Sequence, residues 1–153
     1  MLKKLFAVGL IGAAVAFSGC ETTPSASATI ETANLVLLQN RTWIATQIGN
    51  TEIKTAPTAH NIPNLQFDAA TKRVSGADGC NRIMGNYEAG RDTLVLGQMA
   101  GTKMACLDGN NVSQQFNEAL TKVANYQVFG KTLKLLDRHG NLLIQFSSPV
   151  QPR

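Results

Sequence analysis

The chain has 153 residues, of which 44% are hydrophobic and 16% charged, with a formal net charge of +4. This length suits one domain with its own core. Lysine and arginine are spread along the chain without a cluster, so the sequence predicts no nucleic-acid partner.

The first nineteen residues have the pattern of an export signal. Lys3 and Lys4 precede an apolar run over residues 5–17, which is shorter than the roughly 20 residues that cross a bilayer. The ending "FSGC" resembles the lipobox of bacterial lipoproteins, whose cysteine is acylated and becomes the mature N-terminus. We therefore predict a signal peptide over residues 1–19 and lipid attachment at Cys20. The alternative is an ordinary signal peptide followed by a chance cysteine.

Removal of the signal has two consequences for the mature protein. Loss of the two N-terminal lysines lowers the net charge to about +2. Several acyl chains on Cys20 would anchor the protein to a membrane without a spanning helix. The small, polar segment that follows, residues 20–34, is predicted to be a flexible tether. The folded domain is predicted over residues 35–147, and a C-terminal tail over residues 148–153.

Short apolar runs separated by turn residues predict about eight strands in the domain. These runs lie at residues 41–49, 64–68, 72–76, 83–89, 93–104, 126–129, 131–137 and 141–146. Because tight turns join almost every adjacent pair, the sheet should be antiparallel. The predicted fold class is mostly β (α+β), with a small, strongly curved or barrel-like sheet.

One helix is predicted between the fifth and sixth of these runs. Its apolar positions fall on one face of a helix and are Val112, Phe116, Ala119, Leu120 and Val123. Asn111 and Gln114 have the spacing of a capping box at its start. We expect this helix to pack over the sheet and cover one opening of the barrel.

The chain contains three cysteines. If Cys20 carries lipid, Cys80 and Cys106 remain, in an exported compartment where disulfides form. The simplest prediction is a Cys80–Cys106 disulfide, worth about 3 kcal/mol in the chain-entropy model.

Two stretches are the most specific in the chain, "GCNRIMGNY" at residues 79–87 and "TKMAC" at residues 102–106. Together with Trp43 near the domain start and the apolar C-terminal strands, they resemble the META domain family, which includes bacterial heat-shock lipoproteins of the HslJ type. The resemblance covers residues 39–146 and implies a compact barrel-like β domain with one helix, in the cell envelope. It implies no catalytic residues. The positions that carry it are Gly76, Gly79, Cys80, Asn81, Gly85, Tyr87, Thr102, Met104 and Cys106.

Structural roles explain most of these positions. The glycines at 76, 79 and 85 would relieve tight backbone geometry at a turn or bulge. Asn81 is expected to hydrogen-bond nearby backbone groups. Three methionines, Met84, Met99 and Met104, are predicted to fill gaps in the core.

The sequence predicts no catalytic residue, metal or cofactor. The two histidines, His60 and His139, do not lie in a recognisable nucleophile context. Cys80 and Cys106 lack the closely spaced partners of a zinc site.

The leading functional prediction is a non-enzymatic, lipid-anchored binding or accessory module in envelope maintenance or stress tolerance, with an unidentified envelope protein as partner. Glu21 after the lipid cysteine favours the outer membrane, with the domain facing the periplasm. The alternative is a lipocalin-like carrier of a small apolar ligand, with Met84, Leu94, Leu96 and Phe146 lining the barrel interior. The many leucines favour a filled interior.

Overall fold

A computed structural model describes residues 26–54, 62–106 and 111–149. The predicted signal peptide, Cys20 and His60 lie outside the described residues, and the predictions about them stay predictions. The described helices are α1 (Ala26–Leu38) and α2 (Val112–Thr121). The described strands are β1 (Thr42–Ile48), β2 (Thr51–Glu52), β3 (Asn64–Phe67), β4 (Arg73–Ala77), β5 (Arg82–Ala89), β6 (Leu94–Leu96), β7 (Ala100–Gly101), β8 (Asn125–Phe129), β9 (Thr132–Leu136) and β10 (Leu142–Ser147).

The strands form one antiparallel, nearly closed barrel-like sheet. Its order is β6-β5-β4-β3-β1-β10-β9-β8, with β2 on β1 and β7 on β5. The two ends of this order meet at a seam, where the Leu94 N–H donates to the Ala124 oxygen at 3.0 Å and the Tyr126 N–H to the Asp92 oxygen at 2.8 Å. The predicted fold class is confirmed.

The described residues contain ten strands rather than the predicted eight. The run predicted over residues 93–104 divides into β6 and β7, and the two-residue strand β2 follows the turn at Gly49. The division arises because β6 and β7 lie against different parts of β5, and β2 is a separate short strand paired with β1.

Side chains fill the interior of the barrel. Alternate residues of the strands point inward, so that Trp43 and Ala45 of β1 are buried while their neighbours are not. The indole N–H of Trp43 donates to the Leu38 oxygen at 2.8 Å and joins β1 to the end of α1. The largest wholly buried side chains are Trp43, Tyr87, Tyr126, Phe67, Phe116, Phe146, Leu38, Leu65, Leu94, Leu133, Leu135 and Ile144.

Helix α2 packs over one end of this core, as its apolar face predicts. Phe116 meets Phe146 of β10 edge to face, with ring centroids 6.1 Å apart. The predicted capping box is wrong. Asn111 has φ 50° and its side chain makes no capping hydrogen bond.

The flexible tether predicted over residues 20–34 is wrong for residues 26–34, which are helical in α1. The alanines and threonines of this segment give no helical pattern of large apolar residues, yet the segment forms a helix whose last turn packs on the barrel. Leu38 is wholly buried, and the Asn34 amide donates to the Arg91 oxygen at 2.7 Å. Residues 28–33 of α1 are exposed.

Two smaller predictions also differ from the structure. Met84 and Met104 are 49% and 58% exposed, so they do not fill the core; Met99 packs partly buried against it. Ser148, assigned to the C-terminal tail, is buried and its N–H donates to the Lys131 oxygen at 2.8 Å. Neither helix in the described part of the chain is long and apolar enough to cross a membrane.

Candidate functional site

The turn between β4 and β5 is built around the side chain of Asp78. Its Oδ1 accepts the Cys80 N–H at 2.9 Å and the Asn81 N–H at 2.7 Å, while the Asp78 N–H donates to the Asn81 oxygen at 3.0 Å. Gly79 lies between them with φ 103°, a conformation that favours glycine. The segment "ADGCN" therefore forms a tight turn that Asp78 holds from inside.

Asn81 connects this turn to the segment that follows β7, residues 102–106. Its Oδ1 accepts the Met104 N–H at 2.6 Å and the Thr102 hydroxyl at 3.2 Å. The Thr102 Oγ1 in turn accepts the Arg82 N–H at 3.2 Å. One amide thus satisfies backbone and side-chain donors more than twenty residues away in sequence.

The predicted Cys80–Cys106 disulfide is present next to this amide, with the two Cα atoms 5.8 Å apart. It joins the β4–β5 turn to the end of the segment that Asn81 holds. The covalent link and the Asn81 hydrogen bonds therefore fix the same two segments to each other.

Asp78 also accepts a hydrogen bond from a side chain of helix α2. Its Oδ2 accepts from the Asn117 Nδ2 at 2.6 Å, and that nitrogen donates to the Ser113 oxygen at 2.9 Å as well. Asp78 is 2% exposed. A buried carboxylate is costly without partners, and three donors here compensate for its lost hydration.

Gly85 lies opposite a β-bulge. Asn86 accepts the Gly97 N–H at 2.8 Å, and Met84 pairs with Ala100, so that Gln98 and Met99 both face Gly85. A Cβ on Gly85 would lie 2.6 Å from the Met99 Sδ. The extra residue interrupts the pairing with β5 and separates β6 from β7.

These elements border a cleft of about 540 Å³ between residues 96–103 and helix α2. Its lining includes the apolar side chains of Leu96, Met99 and Leu120 and the polar Asn81 and Thr102. Lys103 contributes a charge. The size is within the range of ligand sites in proteins.

A model of the META domain matches residues 36–149. The chain belongs to the META domain family. The resemblance inferred from the cysteine-containing stretches is therefore confirmed. Comparison with curated protein sequences gives no match.

Solved structures share the fold. A protein from Burkholderia xenovorans, solved by NMR, is 25% identical with TM-score 0.57 over 75% of this chain and 86% of that one. A DUF4847 family protein from Bacteroides vulgatus, solved by crystallography, is 24% identical with TM-score 0.52 over 72% and 93%. The similarity to the Bacteroides vulgatus protein shows a shared fold only.

Tyr87, another motif residue of the META domain, lies away from the cleft. Its hydroxyl accepts from the Gln39 Nε2 at 2.7 Å and donates to the Asp68 oxygen at 3.0 Å. Burial raises its pKa. The ring meets Phe67 edge to face at 5.1 Å. Tyr87 therefore joins α1 and the β3–β4 turn to the barrel wall.

The structure groups the motif of the META domain in two places. Cys80, Asn81, Thr102, Cys106 and the backbone of Met104 lie together at one end of β5, next to the cleft. Tyr87 lies near the other end of β5, with Gly85 and its bulge between. Cys20 lies outside the described residues.

Sequence reasoning missed Asp78 and Asn117. Asp78 precedes Gly79, and an Asp-Gly pair at a turn is a signal that the carboxylate caps the turn. Nothing local in the sequence links Asn117 to it, because the two residues are 39 positions apart.

No group of three or more metal-ligating side chains occurs in the described residues of the META domain. His139 lies in the β9–β10 turn, where its Nε2 accepts from the Arg138 Nε at 3.0 Å. Its neighbours in that turn are Asp137 and Asn141, whose side chains bond to each other. The turn is the hairpin connection between β9 and β10.

Proposed function

We propose that this META domain protein is a lipid-anchored, non-enzymatic binding or accessory module of the bacterial cell envelope. In this proposal Cys20 carries the lipid, the protein belongs to the outer membrane, and the domain faces the periplasm. The role would be envelope maintenance or stress tolerance, exercised through contact with an envelope protein.

The observation that carries the proposal is the Cys80–Cys106 disulfide. Structural disulfides are typical of exported proteins and rare in the cytosol of mesophiles. With these two cysteines paired, Cys20 is the remaining one of three, at the position where the lipobox pattern expects it. The disulfide and the N-terminal pattern are independent, and both favour export.

A binding role is favoured over catalysis by how the polar side chains at the cleft are used. Asp78 and Asn81 accept hydrogen bonds from the protein itself, and Asn117 donates to it. The cysteines form a disulfide, so neither supplies a thiolate. The cleft therefore offers a shaped surface rather than an activated nucleophile or base.

The second candidate, a carrier with an apolar ligand inside the barrel, finds less support. Leu94 and Phe146, which were predicted to line its cavity, are wholly buried among other side chains. Met84 points outward. The described interior is thus filled, which favours the version of the fold without an internal ligand.

Intact mass spectrometry of the natively produced protein tests the proposal. The expected mass begins at Cys20 with acyl chains attached, and Cys80 and Cys106 resist alkylation until a reductant is added. Cys20→Ala should abolish the added mass and move the protein out of the detergent phase in detergent partitioning. Cys106→Ser is the control, because it should keep the lipid. A mature protein without lipid would contradict the anchor.

A further inference from the structure

The outer edge of residues 96–102 presents backbone groups that face away from the barrel. The Gly97 N–H donates to the Asn86 oxygen at 2.8 Å, and the Thr102 N–H to the Arg82 oxygen at 3.0 Å, so these residues point their hydrogen-bonding groups towards β5. Backbone groups alternate in direction along a strand. The N–H and C=O of Leu96 and Gly101, next to these residues, therefore point away from β5.

These outward groups lie where the seam of the barrel opens. At Leu94 the seam is closed, because its N–H donates to the Ala124 oxygen. From Leu96 to Gly101, among the described residues, no backbone hydrogen bond joins this edge to β8 across the seam. The cleft of about 540 Å³ lies at this opening, between the edge and helix α2.

We propose that the open edge at residues 96–102 binds an extended segment of a partner protein, which adds a strand to the sheet within the cleft. This inference rests on the proposed binding function and names its site and the chemical class of its partner. The segment's backbone would hydrogen-bond to Leu96 and Gly101, and its side chains would contact Met99 and Leu120.

An extended peptide fits this edge better than a small apolar ligand. Leu96 and Gly101 lie opposite Tyr87 and Ile83, which are four residues apart on β5, because the bulge adds one residue between Leu96 and Gly101. A peptide that runs along this edge supplies N–H and C=O groups at alternate residues, which matches this four-residue spacing. An apolar ligand would cover these polar groups without a partner, at a cost in free energy. Gly97, Ala100 and Gly101 carry little or no side chain, so another backbone can approach closely.

The test uses the full-length protein in detergent and a library of random peptides of about twelve residues displayed on phage. A selected peptide is then synthesised with single N-methyl groups at each position, and its Kd is measured by fluorescence anisotropy. We expect N-methylation at every second residue to weaken binding at least tenfold, with little change between. Effects without this alternation, or no enriched peptide, would overturn the proposal.

Two variants of helix α2 provide a second test. Thr121 is exposed and lines the cleft, so Thr121→Trp should fill it and weaken peptide binding at least tenfold. Gln114→Trp adds the same ring on an exposed position outside the cleft and should leave Kd unchanged. Equal affinities of the two variants would overturn the proposal. If Thr121→Trp fails to fold, the N-methyl series still decides.

The same experiments distinguish a partner peptide from a second copy of this chain at the edge. Self-association through this edge would appear as a dimer in sedimentation that Thr121→Trp abolishes, and it would overturn the heterologous partner. Peptide binding does not depend on the lipid. A protein that lacks acylation at Cys20 yet binds peptide with the alternating pattern would refute the envelope anchor and support the binding edge. An acylated protein that binds no peptide would support the anchor and refute the binding edge.

Discussion

Asp78→Asn is expected to destabilise the domain through one contact, the pair that Asp78 forms with Asn117. The new asparagine keeps an oxygen for the N–H groups of Cys80 and Asn81, but it places an NH₂ group against the Asn117 Nδ2, now 2.6 Å from the Asp78 Oδ2. Asn117 cannot turn its amide over freely, because the same Nδ2 donates to the Ser113 oxygen at 2.9 Å. A charge-assisted bond is thus replaced by two opposed donors.

The magnitude follows from the burial of this pair. Asp78 is 2% exposed, and a hydrogen bond to a charged group contributes about 1.5–3 kcal/mol. We expect Asp78→Asn to lower the free energy of unfolding by about 2.5 kcal/mol, which lowers Tm by about 10 °C for a domain of this size. The fluorescence of Trp43, the single tryptophan, reports urea unfolding because its ring is wholly buried.

A double-mutant cycle with Asn117→Ala isolates the pair. Since this substitution removes the opposing NH₂ group, the double variant should be more stable than additivity predicts, by about 1–2 kcal/mol. Asp137→Asn is the matched control. Asp137 also accepts two backbone donors and one asparagine amide, but in an exposed turn, and its substitution should cost clearly less. A cost at Asp78 below about 0.5 kcal/mol, or strict additivity, would refute the reasoning.

Three further predictions follow from the disulfide, from one glycine and from a buried phenol. Replacing Cys80 and Cys106 together by alanine should cost about 3.5 kcal/mol in urea unfolding, because the bond joins residues 26 apart, and an unchanged midpoint would contradict this. Gly76→Ala should cost more than about 3 kcal/mol or prevent folding, since the added Cβ overlaps the backbone oxygen of Asn64; a wild-type melting curve would show that β3 can shift. Burial raises the pKa of Tyr126 to about 12, so its stabilising contribution should be complete below about pH 10 and disappear as the pH rises towards 12, and Tyr126→Phe should remove that part of the alkaline loss. An absorbance titration in which Tyr126 ionises near pH 10 would disprove this shift.

Elements with a regular local spacing of apolar residues could be predicted from the sequence. The strand of residues 141–146 appears as β10 because Ile144 and Phe146 alternate with less buried neighbours. Helix α2 appears because its apolar positions repeat with the helical period. In both elements the spacing of the apolar residues within a short stretch of sequence shows which face is buried. No knowledge of a distant partner is needed to predict it.

Residues that act through distant partners were not predictable in the same way. Helix α1 has few large apolar residues before Leu35, and the packing of its last turn on the barrel is what identifies it. The exposure of Met84 and Met104 likewise depends on where the fold places each residue. Met84 lies between the inward-pointing Ile83 and Gly85 of β5 and therefore faces solvent, whereas Met104 lies in the segment after β7 that Asn81 holds.

The sequence alone was sufficient for the family, for the antiparallel barrel-like sheet and for the cysteine pair. The family was inferred from the resemblance of the stretches at residues 79–87 and 102–106 to the META domain. The sheet and the cysteine pair follow from apolar alternation, turn residues and cysteine count, which are properties of short segments and of composition. The contacts of Asp78 with Asn117 and of Asn81 with residues 102 and 104, and the open edge beside the cleft, became visible in the tertiary structure. They join segments that the chain separates by more than twenty residues, and hydrogen bonds of that range depend on how the whole barrel closes.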